Sequence, residues 1–119
     1  MDDAAQAFAK LTLNTIDPAG IVTHQGRRIV VTGPLQCDRG ETAWLRVTVT
    51  QRSTGAVAEG HTQIACTGDI QPWQVQAPAQ SNESFQEGAA TAVAIARTTD
   101  RGAATDAHQW LVAITLVTQ

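Results

Sequence analysis

The segment Ala43 to Gln51 reads Ala-Trp-Leu-Arg-Val-Thr-Val-Thr-Gln, and its strict alternation constrains this chain more than any other feature. A period of two places Ala43, Leu45, Val47 and Val49 on one face and Trp44, Arg46, Thr48 and Thr50 on the other. The first face is expected to be core, the second to meet solvent. Runs of the same kind recur along the chain, rich in Val, Ile and Thr and broken by Gly- or Asp-bearing turns at intervals of roughly eight to twelve residues. That punctuation predicts an all-β fold, an immunoglobulin-like antiparallel β-sandwich of roughly seven to eight strands.

The strands follow from the same rule. Phe8 to Ile16 alternates Leu11 and Leu13 and closes at the turn Asp17-Pro18-Ala19-Gly20. Ile21 to His24 adds a short strand. Arg28 to Cys37 points Ile29, Val31 and Leu35 one way, and its Gly33-Pro34 pair predicts a kink or a position near a sheet edge. Val57 to Cys66 returns from the turn at Gly55, and Pro72 to Ala77 sets Trp73, Val75 and Ala77 on one face. Phe85 to Thr98 is alanine-rich enough for a helix. Its alternating Thr91, Val93 and Ile95, the interruption at Gly88 and the lack of charges at helical spacing make it a strand. Thr99 to Asp106 reads as a loop. The last strand, His108 to Thr118, turns Trp110, Val112, Ile114 and Leu116 inward.

A chain of 119 residues has room for one such core. The expected organisation is a single β-sandwich domain over 1–119, with 1–7 a flexible N-terminal segment. Those first residues lack the charged start and apolar middle of a leader, so Met1-Asp2-Asp3 is expected to begin a mature chain carrying an added initiator Met. No stretch reaches the roughly 20 apolar residues of a membrane-spanning helix. Hydrophobic residues make up 43% and charged residues 16% of the chain, a balance that excludes a disordered polymer. The net charge of -3, with arginines scattered apart from Arg27-Arg28, provides no basic footprint for nucleic acid.

Cys37 and Cys66 are the only cysteines. Cys37 ends one strand, the next strand runs back, and a hairpin reverses the chain again before Cys66. Both therefore arrive at the same end of the fold, as a bridge requires. A disulfide closing a loop of about 30 residues contributes roughly 3.5 kcal/mol and belongs to an oxidising compartment, hence a secreted or cell-envelope protein. The alternative is a reduced protein with two unconnected buried thiols.

Several elements together carry a resemblance: a Thr- and Val-rich strand after Cys37, Gly60-His61 leading to Cys66, Trp73, Phe85-x-x-Gly88 with its Ala/Thr alternation, and the closing Trp110 to Val117. Over residues 28 to 118 the chain resembles small secreted immunoglobulin-like β-sandwich proteins of actinobacteria. The resemblance implies the fold and export and brings no activity with it. The Cys37–Cys66 pair differs from the staple of antibody domains, which joins more distant strands through the core around a Trp.

No catalytic constellation is expected. Ser53, Ser81 and Ser84 lie in polar turns, without a nucleophile elbow to set one against His24, His61 or His108. The loop acids Glu83, Glu87, Asp100 and Asp106 are read as solvated rather than as a general acid–base pair. Asp106-x-His108 offers two weak metal ligands, with a third from His24 or His61; the expectation is no metal and no cofactor. Trp44 and Arg46 on the polar face of their strand are the candidate binding surface, because an exposed aromatic supplies contact area for protein or sugar. The expected function is a non-catalytic interaction module with a protein or glycan partner. The second reading is a structural subunit or decoration domain of an envelope or particle assembly, held by strand edges.

Overall fold

The alternating runs form strands because each carries one apolar row, and the rows close around a common interior. A computed structural model describes residues 15–118. The expected strand over Phe8–Ile16 and the N-terminal segment 1–7 lie almost wholly outside the described residues. Among the described residues there are seven strands: β1 (Ala19–Thr23), β2 (Arg28–Gln36), β3 (Thr42–Gln51), β4 (Ala56–Ala65), β5 (Ile70–Pro78), β6 (Gly88–Asp100) and β7 (Ala103–Thr118). They form one sheet in the order β4-β3-β6-β7-β1-β2-β5.

The sheet curls until its two ends meet. Ala58 of β4 bridges Ala79 just beyond β5, and the Gln80 N–H donates to the Val57 carbonyl at 2.7 Å. Gly60 permits the approach, since a β-carbon there would lie 2.5 Å from the Gln76 carbonyl oxygen. The result is a nearly closed, barrel-like shell with a single apolar cluster inside. Ala43, Leu45, Val47 and Val49 are at most 2% exposed, as their alternation requires, and so are Ile29, Val31, Leu35, Val75 and Leu116. Trp73 is buried too, its indole N–H donating to the Pro34 carbonyl at 3.0 Å.

Two expectations about the strands are corrected. The sheet is mixed rather than wholly antiparallel, because β1 pairs parallel with β7. Parallel neighbours need a long connection, and here the connection is nearly the whole domain, from the first strand to the last. Thr99 to Asp106 is not a loop: β6 runs to Asp100, β7 starts at Ala103, and Arg101 and Gly102 make the turn at positive φ (55° and 86°). Two left-handed residues fit a two-residue hairpin whose twist matches its strands. Trp110 and Val112 pack against the core only in part, while Ile114 and Leu116 are buried.

Pro34 and Gly33 sit where β2 has left β1 behind, since β1 pairs with Arg28, Ile29 and Val30 alone. A proline is tolerated there because no ladder bond is lost.

The disulfide joins Cys37 and Cys66, whose α-carbons are 5.4 Å apart, immediately after the ends of β2 and β4. The Cys66 N–H also donates to the Glu41 carbonyl at 2.9 Å, so the staple fixes the point from which β3 and β4 run together. A structural disulfide belongs to an oxidising, extracytoplasmic environment. Among the described residues no helix is long and apolar enough to cross a membrane.

Candidate functional site

Trp44 and Arg46 fall on the outer face of β3 because the residues between and beside them are claimed by the core. Trp44 is 39% exposed. Its surroundings come from the two neighbouring strands. The β3·β6 register sets Trp44 opposite Arg97 and Arg46 opposite Ile95, and the β3·β4 register sets Trp44 opposite Gln63 and Arg46 opposite His61.

The indole is held from two directions. Its Nε1–H donates to Thr99 Oγ1 at 3.0 Å, and the Arg97 guanidinium carbon stands 5.4 Å from the ring centroid. A cation over an indole face is attracted by the ring quadrupole, worth about 0.5–1 kcal/mol where water competes. Arg46 meets Glu59 at 3.4 Å, an exposed pair of little energetic weight. Between the two arginines lies a shallow depression of about 320 Å³, lined by Trp44, Arg46, His61, Ile95 and Arg97 among others. Its rim carries two arginines and a histidine on a chain whose net charge is -3.

The surface can do one thing chemically: it offers a fixed aromatic plane, apolar Ile95 and cationic donors for contact. The β3 alternation alone places Trp44 and Arg46. Arg97, Thr99, His61 and Ile95 join them through pairing with distant strands, and only the outward phase of Thr91-Val93-Ile95-Arg97 hints at this in the sequence.

The other candidates are dispersed. Asp106 and His108 alternate on one side of β7, where the His108 ring stands 6.1 Å from the Trp110 ring. The Asp106 carboxylate accepts the Ala107 N–H at 2.8 Å. His61 lies on the outer face of β4, and His24 lies in the short turn between β1 and β2. Among the described residues no group of three His, Cys, Asp or Glu side chains could hold a metal ion. Ser53 and Ser84 are exposed. The Ser81 hydroxyl is enclosed and has no partner among the described residues.

Nor do the acids share a cleft. Glu83 and Glu87 precede β6, whereas Asp100 and Asp106 flank its far end, and a 13-residue strand separates them by about 40 Å. Glu87 instead ties the end of β7: its carboxylate accepts from the Thr118 N–H at 2.8 Å and from the Thr118 hydroxyl at 2.5 Å. The hydroxyl bond first, and then the amide bond, hold its pKa below the ordinary glutamate value. A depressed folded-state pKa adds stability above the unfolded value, and that gain is lost as pH falls through the folded one. Titration by NMR is expected to show Glu87 below an ordinary glutamate, and Thr118→Val to move it back up.

No family model matches the chain, and no curated protein is similar to it.

Proposed function

We propose that this protein is a non-catalytic, exported interaction module of immunoglobulin-like sandwich type, which presents the outer face of β3, β4 and β6 to a protein or glycan partner. The observation that carries the reading is Trp44: a half-open indole, braced by Thr99 and Arg97, beside Ile95 and two arginines. Tryptophan and arginine are enriched among the residues that dominate the energetics of binding surfaces, the indole because it buries much area and the guanidinium because it also donates several hydrogen bonds. The disulfide supports export.

The test uses the intact protein against an array of glycans and an array of bacterial surface proteins. A ligand bound by the wild type is expected to lose about 2 kcal/mol of affinity, roughly thirtyfold, on Trp44→Ala, with the melting temperature little changed. Equal binding by Trp44→Ala, or no ligand in either array, overturns the reading.

A second reading has its own observation. Among the described residues β1 pairs with β7 only from Thr115 to Thr118, and a strand edge paired on one side suits a structural subunit of an assembly.

A further inference from the structure

The outer face that carries Trp44 continues across β6 onto β7, and the strand registers define its layout. Trp44, Arg97 and Ala107 stand side by side, then Arg46, Ile95 and Gln109, then Thr48, Val93 and Leu111. Three large hydrophobic side chains of this face are open to solvent: Trp44, Ile95 and Leu111, the last 68% exposed. Half-buried Val93 lies between Ile95 and Leu111 and joins them. An apolar stripe therefore crosses three strands obliquely from Trp44 to Leu111. Residues on one face are about 6.8 Å apart along a strand and neighbouring strands about 4.8 Å apart, which makes the stripe about 17 Å long. Contiguous exposed apolar surface rimmed by polar residues is a mark of contact sites.

Charge is distributed as unevenly as polarity. Arg46 and Arg97 both stand at the Trp44 end, with α-carbons about 8 Å apart by the same spacing. Arg46 shares its charge with Glu59 at 3.4 Å. Arg97 has no ion-pair or hydrogen-bond partner among the described residues; it stands over the Trp44 ring, a contact that uses none of its N–H groups. Asp106 has the opposite parity to Ala107, the neighbour of Arg97 on β7, and its carboxylate accepts the Ala107 N–H. A guanidinium held by a ring and lacking an acceptor suits a carboxylate, which it can bind through two parallel N–H···O bonds.

We infer that this face binds an acidic polypeptide segment, with a carboxylate on Arg97 and a large apolar side chain on Ile95, Val93 and Leu111. The inference rests on the Trp44 reading above and names its partner. A sugar gains from stacking on the indole. The aliphatic stripe, however, would strip water from its hydroxyls and return no hydrogen bond. A polypeptide carries both groups that the face receives, and clustered arginines are a recurrent reader of acidic segments. Arg97 and Leu111 lie about 14 Å apart, the reach of about four residues of extended chain. The acid and the apolar residue of the partner are separated by that interval.

Phage-displayed random peptides selected on the immobilised intact protein test this. Enriched peptides are expected to carry Asp or Glu about four residues from a large apolar side chain. Their affinity is expected to fall more than about tenfold on Arg97→Glu and at least about fivefold on Leu111→Ser. Arg52→Glu makes the same change of net charge in the exposed β3–β4 turn, and is expected to alter affinity less than about twofold. All three side chains are exposed, so the variants should melt with the wild type. The inference is overturned by the absence of enriched peptides, by enrichment without acids, or by peptides that either Arg97→Glu or Leu111→Ser holds as tightly as the wild type. Failure of the Trp44 reading looks different. If polygalacturonate, a carboxylated glycan, binds the wild type and Leu111→Ser alike but not Trp44→Ala, the peptide inference falls and the Trp44 face stands. If neither peptide nor glycan depends on Trp44, both fall.

Discussion

Replacing Cys37 and Cys66 together with alanine is expected to lower the free energy of unfolding by about 3.5 kcal/mol. The bridge closes a loop with a sequence separation of 29, which contains β3, β4 and the turn between them. Cutting it frees the unfolded chain to sample many more conformations, while the folded chain keeps its ladders. At roughly 4 °C per kcal/mol for a domain of this size, the melting temperature should fall by about 14 °C. Denaturant titration checks the origin of the loss: the midpoint drops and the slope rises, because an unbridged unfolded chain exposes more surface. The folded state should also loosen locally. Cys66 is the residue whose N–H ties the end of β4 to Glu41 ahead of β3, and Trp44 stands only a few residues along that strand. Faster hydrogen exchange at the Cys66 position (alanine in the variant) would report that loosening directly.

Gln51→Leu is expected to cost about 3 kcal/mol although it replaces a polar side chain by an apolar one of similar size. Gln51 is fully buried at the end of β3. Its amide nitrogen donates to the Gln86 carbonyl at 2.8 Å and the Ala89 carbonyl at 3.3 Å. Its carbonyl oxygen accepts from the Gln86 N–H at 2.9 Å and the Thr54 hydroxyl at 3.0 Å. One side chain thus joins the β3–β4 turn to the segment that leads into β6. Leucine fills the volume, so no cavity term enters; the loss is that of main-chain groups left without partners. Thermal denaturation measures the loss, and exchange of the Gln86 amide localises it. Gln51→Glu should be worse than leucine, since a carboxylate accepts but cannot donate to the two carbonyls, and its charge would be buried.

How much of this was legible beforehand differs from residue to residue. The β3 alternation predicts both the buried row from Ala43 to Val49 and the outward Trp44, because a strand's faces follow from parity alone. The Cys37–Cys66 pair was readable from the count of chain reversals between them. Gln51 was not: nothing in the sequence marks it as buried, and its three partner residues lie in the neighbouring turn and in a segment more than thirty residues away. Trp44 and Trp110 begin similar stretches, Trp44-Leu45 and Trp110-Leu111, yet Trp44 faces solvent and Trp110 packs partly against the core. The phase of each strand is set by what covers it, so the likeness of the two stretches is one of β-propensity and not of a repeated unit. The loop expected over Thr99 to Asp106 failed for a related reason. Its Thr, Asp and Gly residues suit a turn, but pairing with the opposite strand extends both β6 and β7 to within two residues of each other.

Most of the local order, then, was decided by the sequence itself: where the alternating segments lie and which of their faces is apolar. Those properties depend on neighbours one or two residues away, and the alternation that constrains this chain most is of that kind. Pairing belongs to the tertiary structure. It placed Arg97 and Thr99 against Trp44, set β1 parallel to β7, and closed β4 on β5. Each of these joins residues far apart in the chain, and the free energy that selects among the pairings comes from the shared core and not from any one segment.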